Sequence, residues 1–72
     1  MKQVIHRGYV ITVTANNEKR VWRGHAIITW EQRKFDLHDP VCFPSEMEAE
    51  EHAVELGKHW VNNHLQGIRG SS

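Results

Sequence analysis

Three segments of this chain alternate between apolar and polar positions as half-buried β-strands do. In residues 9–15, Tyr9, Ile11 and Val13 fall on one side, and such alternation of β-branched and aromatic residues is typical of a strand. Residues 21–30 and the shorter segment 33–38 alternate in the same way. Gly8 indicates a bulge or a bend, so residues 4–6 are expected to extend the first strand on its far side.

Short polar connections separate the three predicted strands. The first turn is expected at Asn16-Asn17-Glu18-Lys19, because asparagine tolerates the positive φ of a tight hairpin. Glu31-Gln32 forms the second turn. Asp39-Pro40 ends the third strand, since proline cannot donate to a ladder. Two short connections in succession predict an antiparallel meander.

The apolar spacing changes to a helical period after residue 44. Ser45 and Glu48 form a capping-box pattern, which predicts a helix from about residue 46 to residue 64 or 65. Gly57 lies within the apolar arc of that helix. A glycine there costs about 1 kcal/mol against alanine, which suggests a close approach of the helix to the sheet.

These elements predict an α+β fold, a three-stranded antiparallel meander (β-β-β-α) with one C-terminal helix packed across one sheet face. Residues 1–65 form a single domain, and the Gly- and Ser-containing segment 66–72 is predicted to be a disordered tail. The expected core consists of Tyr9, Ile11, Val13, Trp22, Ile28, Trp30, Phe35, Leu37, Ala53, Leu56 and Trp60.

The chain has 72 residues and one cysteine, Cys42, so no intrachain disulfide is possible. A secreted protein of this size normally carries several cysteines, and the first residues lack the apolar run of a signal peptide. No segment has the length of apolar sequence that a membrane span needs. These features predict a cytoplasmic protein that does not bind membranes. So small a chain has little room for a catalytic cleft, which argues against an enzyme.

The net charge is zero, but the charge is unevenly distributed. Residues 1–35 carry seven lysines and arginines against two acids, and residues 36–72 carry two against seven. A basic sheet face and its turns favour contact with nucleic acid or an acidic protein surface. The aromatic side chains, however, are predicted to point inward, so none is left on this face for bases to stack on. An ordinary solvated face is the alternative. The residues predicted to bind the anion are Lys19, Arg20, Arg23, His25, Arg33 and Lys34.

A second interpretation uses the acidic helix. The chain is then a protein-interaction module, antitoxin-like or regulatory, that acts through the helix and a sheet edge. Val10 and Ile27 also leave apolar groups on the outer sheet face. An uncovered face or edge of this kind predicts a possible homodimer.

The six histidines do not form a metal-binding pattern, because no two helical histidines stand at i and i+4. The cluster Asp36, His38, Asp39 and Cys42 contains ligand types but matches no zinc spacing. Cys42 with His38 is the one nucleophile–base pair in reach along the sequence, and it lacks an orienting group. The sequence therefore predicts no metal, no cofactor and no catalytic residue.

The order Gly8-Tyr9-Val10-Ile11-Thr12-Val13, then a tryptophan-bearing strand, then Phe43-Pro44-Ser45 before the helix resembles a group of small uncharacterised bacterial β-β-β-α proteins. That resemblance covers residues 8–61 and implies the fold but no activity. At the level of fold the chain is also similar to the last strands and helix of double-stranded RNA-binding domains and to HicB-type antitoxin domains. Glutamates open the helix here where the RNA-binding domains have lysines, which argues against duplex RNA.

Overall fold

A computed structural model describes the backbone of residues 1–70 and the side chains of residues 1–66. Four strands precede one helix in the order β1 (Lys2–His6), β2 (Tyr9–Glu18), β3 (Val21–Trp30), β4 (Arg33–Phe43) and α1 (Glu46–Gly70). The strands form one antiparallel sheet in the order β1-β2-β3-β4. The predicted α+β class with an antiparallel sheet and a C-terminal helix is confirmed, but the sheet has four strands and not three.

The extra strand arises because the chain reverses at Arg7-Gly8 instead of bulging there. Arg7 has a φ of 53° and Gly8 a φ of 87°, which is the left-handed backbone of a two-residue hairpin turn. β1 therefore folds back on β2, with Val4 facing Ile11. The interpretation of residues 4–6 as an extension of the first strand was wrong.

The other two hairpin turns are equally tight. Lys19 (φ 64°) and Glu31 (φ 54°) each begin a two-residue connection in the left-handed region. Asn16 and Asn17 belong to β2, so the predicted first turn at residues 16–19 was placed too early in the chain. All three connections in the sheet are thus two-residue hairpins.

The fourth strand continues through Pro40 to Phe43, whereas the sequence predicted its end at residue 38. Its pairing with β3 is irregular between Arg23 and His25, where Gly24 alone faces residues 39–41. Proline is tolerated at a bulge in an edge strand, where a missing N–H breaks no ladder hydrogen bond.

The helix begins as predicted. The Glu48 N–H donates to the Ser45 hydroxyl at 3.2 Å, which caps the first turn. The helix continues to Gly70, beyond the predicted end at residue 64 or 65, because no proline stops it. The predicted disordered tail, residues 66–72, overlaps this last part, and residues 71–72 lie outside the described residues.

Two glycines bring the helix close to the sheet. A Cβ at Gly57 would lie 2.8 Å from Cγ2 of Ile11, which confirms the predicted close approach. On the sheet side, a Cβ at Gly24 would lie 2.6 Å from the Ala49 carbonyl oxygen. Because Ile11 is in β2 and Gly24 is in β3, the helix lies over the two central strands.

The core lies between these central strands and the helix. Of the predicted core residues, Tyr9, Ile11, Val13, Ile28 and Ala53 are buried, and Trp30, Leu37 and Trp60 are partly buried against them. Phe35 was placed in the core by its alternation, but 41% of its surface is exposed because the helix lies over the central strands and covers this edge strand only in part. Buried residues not predicted are Ala26, Ala49, Val54 and Val61.

The side chain of Asn62 ties the end of β1 to the helix. Its Oδ1 lies 3.0 Å from Nε2 of His6 and accepts a hydrogen bond from Nη1 of Arg7 at 3.2 Å. At the other end of β1, the Met1 amino group lies 2.9 Å from a Glu50 carboxylate oxygen. This hydrogen bond, together with the charge of Glu50, raises the pKa of the amino group.

Candidate functional site

The bulge in β4 turns one carboxylate into the interior of the protein. Asp39 is completely buried, and it is the one charged side chain in the described part of the chain with this degree of burial. Its Oδ1 accepts a hydrogen bond from the Val41 N–H at 2.9 Å. A buried carboxylate needs such partners, because desolvation penalises its charge.

The second carboxylate oxygen of Asp39 contacts Nδ1 of His52 on the helix. The His52 ring also lies against Phe43, with the ring centroids 4.9 Å apart. Asp39 and Phe43 together fix the position of the imidazole. This leaves Nε2 as the ring nitrogen available to another group.

A shallow, open cavity of about 300 Å³ lies beside this pair, between the helix and the end of β4. Its walls are the rings of Phe43 and His52, and the remaining lining residues are Glu48, Glu51 and Glu55. The three carboxylates come from successive turns of the helix, so they lie along one face of it. The site therefore combines an aromatic wall with a high density of negative charge.

The six residues predicted to bind an anion do not form one cluster. Lys19 and Arg20 form the turn before β3, and Arg33 and Lys34 begin β4, directly after the turn that follows β3. Because β3 runs from Val21 to Trp30, about 30 Å separates these two basic groups at 3.3 Å per residue.

The basic residues between those ends have acidic neighbours on the outer sheet face. Nε of Arg23 lies 3.0 Å from a Glu18 carboxylate oxygen. The closeness of Cys42, followed by that of Glu18, raises the pKa of Arg23, since a negative charge on either neighbour favours the guanidinium. Part of the positive charge of this face is therefore neutralised within the chain.

His25 and His38 stack on the same outer face, with ring centroids 4.4 Å apart and planes 3° from parallel. Nε2 of His25 also lies 3.5 Å from Oδ1 of Asp36. Cys42 faces Arg23 in the pairing of β3 with β4, while His38 faces His25. Cys42 and His38 thus face different residues of β3, on either side of the bulge.

The cluster Asp36, His38, Asp39 and Cys42 is also divided. Asp39 points to the helix, while Asp36 and His38 lie on the outer face with their β3 partners. Among the described residues, no three histidine, cysteine, aspartate or glutamate side chains are arranged to hold a metal ion.

Sequence reasoning did not find the Asp39–His52 pair. The two residues are 13 positions apart, and nothing in their spacing indicates contact. It also placed Phe35 in the core, whereas Phe35 is partly exposed and stacks on Trp60 at 4.7 Å. The sequence carried a weak signal of this exposure, because a single helix is too narrow to cover every strand of the sheet and leaves an edge strand partly open.

Comparisons with protein-family models, with curated proteins and with solved structures give no match for this chain. Within the described part of the chain, no helix has both the length and the apolar character that crossing a membrane requires. A functional interpretation of this chain therefore depends on the geometry of its own surfaces.

Proposed function

We propose that this chain is a small non-catalytic protein-binding module whose acidic cavity receives a lysine or arginine side chain of a partner protein. The observation that supports it is the cavity itself, in which two aromatic rings stand beside three helix carboxylates. A cation over an aromatic ring gains from the ring quadrupole, and nearby carboxylates add Coulomb attraction. This is the second of the two interpretations that the sequence allowed.

The Asp39–His52 contact supports the same proposal. Holding the imidazole by its Nδ1 fixes one wall of the cavity before any partner arrives. A binding site that is already formed loses less conformational entropy on association. The lining contains no serine, threonine, cysteine or lysine, so His52 has no nucleophile beside it to activate.

The other interpretation, contact with nucleic acid or another anionic partner, needs a ligand that spans both ends of β3. The two basic groups are about 30 Å apart, so only an extended polyanion reaches both. Neutralisation of Arg23 by Glu18 weakens this interpretation further. It therefore serves as a competing outcome of the experiment that tests the cavity.

We expect a short arginine-containing basic peptide to bind the cavity and to shift the amide resonances of Phe43 and His52 in the labelled protein. Replacing Glu51 and Glu55 by lysine should weaken this binding by about tenfold, because two attractive charges become repulsive. Titration followed by nuclear magnetic resonance measures both the affinity and the place of binding.

The control variant replaces Glu31 and Glu46 by lysine, which changes the net charge equally but outside the cavity lining. It should bind the peptide almost as well as the original chain does. Equal weakening in both variants would mean non-specific attraction and would contradict the proposal. Salt-sensitive binding of an oligonucleotide, with shifts at Lys19 and Lys34 instead, would favour the anionic partner.

A further inference from the structure

The outer edge of β4 is open. In the strand order of the sheet, β4 pairs with β3 on one side and with no described strand on the other. Its regular part is residues 33–38, before the bulge at residues 39–41. An unpaired edge presents backbone donors and acceptors that another strand can use.

Three consecutive side chains on this edge have opposed characters. Phe35 faces Ile28 and thus points to the helix side, with 41% of its surface exposed. Lys34 and Asp36 flank it and point to the outer face, opposite Thr29 and Ile27 of β3. Along this edge a positive, an aromatic and a negative side chain follow one another. The aromatic side chain lies on one face of the sheet and the two charged side chains lie on the other.

We propose that the protein forms a two-fold dimer in which the β4 edges of two copies pair antiparallel, with Phe35 on the symmetry axis. In an antiparallel pair of identical strands related by a two-fold axis, the numbers of any two facing residues add to the same total. When Phe35 faces Phe35, Lys34 of each copy faces Asp36 of the other. The sequence is thus self-complementary in this one register, with two ion pairs and one aromatic pair.

The aromatic side chains next to Phe35 are compatible with a dimer whose two-fold axis passes beside this residue. Phe35 stacks on Trp60 at 4.7 Å, and Trp60 stacks on His64 at 4.8 Å. The exposed side of Phe35 would be covered by the same ring of the second copy. Three strand spacings separate the two β3 strands, about 14 Å, which leaves room between the helices for Phe35 and Trp60 of both copies.

The opposite edge of the sheet does not have this property. Residues 1–17 contain no aspartate or glutamate, and β1 carries Lys2 and His6. Pairing β1 with itself around Val4 would place Lys2 against His6 of the second copy, with no acid opposite. Charge therefore selects the β4 edge for self-association and disfavours the β1 edge.

This interface goes beyond the proposed binding function and uses different residues. Phe35 and Phe43 are eight positions apart on β4, a separation of about 25 Å along the strand. Both acidic cavities stay open in the dimer. Failure of one proposal does not entail failure of the other, because the tests change separate side chains.

Sedimentation equilibrium of the full chain should show a monomer–dimer equilibrium at protein concentrations up to about 100 μM. Lys34→Asp and Asp36→Lys should each weaken the dimer by at least about tenfold, since each places like charges opposite one another twice. The double variant Lys34→Asp/Asp36→Lys restores opposite charges and should recover the dimer.

Phe35→Lys should also give a monomer, while Ile5→Lys on the β1 edge should leave the dimer unchanged. Far-ultraviolet circular dichroism checks that each variant is folded. Ile5 is 73% exposed, which makes it a matched control on the other edge. A protein that stays monomeric at the highest concentration would overturn the proposal. So would a dimer that the single charge variants do not weaken, or one that is lost in Ile5→Lys.

Discussion

Replacing Gly24 by alanine is expected to destabilise the fold by about 3 kcal/mol, because the added methyl group has no space between β3 and the helix. Its Cβ would lie 2.6 Å from the Ala49 carbonyl oxygen and 2.8 Å from Cβ of Ala53. Neither atom can rotate away. The helix as a whole must move, and this loosens its packing on the central strands.

Gly57→Ala is the matched variant from the other side of the same interface. Its Cβ would meet Cγ2 of Ile11 at 2.8 Å, which is a side-chain methyl group and not a backbone atom. Alanine also favours the helix over glycine by about 1 kcal/mol. The loss of stability should therefore be smaller than that of Gly24→Ala.

Urea denaturation followed by circular dichroism measures both free energies of unfolding. A domain of 72 residues is stable by roughly 4–11 kcal/mol, so the Gly24→Ala midpoint should fall strongly. If Gly24→Ala is as stable as the original chain, the helix does not lie against β3 at this point.

The second large effect concerns His52. Replacing it by alanine is expected to cost about 2–3 kcal/mol, because one oxygen of the buried Asp39 carboxylate loses its hydrogen-bond partner. The Val41 N–H still satisfies one oxygen, which keeps the loss below that of a wholly unpaired charge. The contact between His52 and Phe43 is lost as well.

His59→Ala provides the control for His52→Ala. His59 is exposed on the same helix, so its replacement should change stability by less than about 0.5 kcal/mol. Adding Asp39→Asn to the His52→Ala variant should recover part of the loss, since no charge is then buried. A coupling free energy near zero in this double-mutant cycle would show that the Asp39–His52 contact contributes nothing to stability.

The pattern of residues within a short segment was sufficient to predict two strands, the start of the helix and one close contact. Alternation of side chains located β2 and β3, and Ser45 with Glu48 located the start of the helix. Gly57 indicated the close approach to Ile11. In each case one property of a short segment decides the structure, so no knowledge of distant residues was needed.

The positions of the hairpin turns could not be predicted from local pattern. Arg7, Lys19 and Glu31 adopt positive φ, which residues of these types rarely do. The two-residue hairpins that they begin force that backbone, and pairing of the flanking strands offsets its cost. The strand β1 was missed for this reason, because only Gly8 gave a turn signal.

The candidate site depends even more on tertiary structure. Pro40 ended the predicted third strand, but an edge position and a bulge make it tolerable. That bulge decides which way Asp39 points, and thus that it meets His52. The exposure of Phe35 similarly follows from where the helix lies and not from any feature of its own segment.

The order of the strands in the sheet has a consequence for how the chain folds. Each strand pairs only with its neighbour along the chain, through two-residue connections. The loops that must close to form the sheet are therefore short, and their entropy cost is small. Its contact order is lower than that of a sheet with crossover connections, so we expect folding on a timescale of about milliseconds. The contacts of Asn62 with His6 and Arg7 join residues more than 50 positions apart, so we expect them to form last.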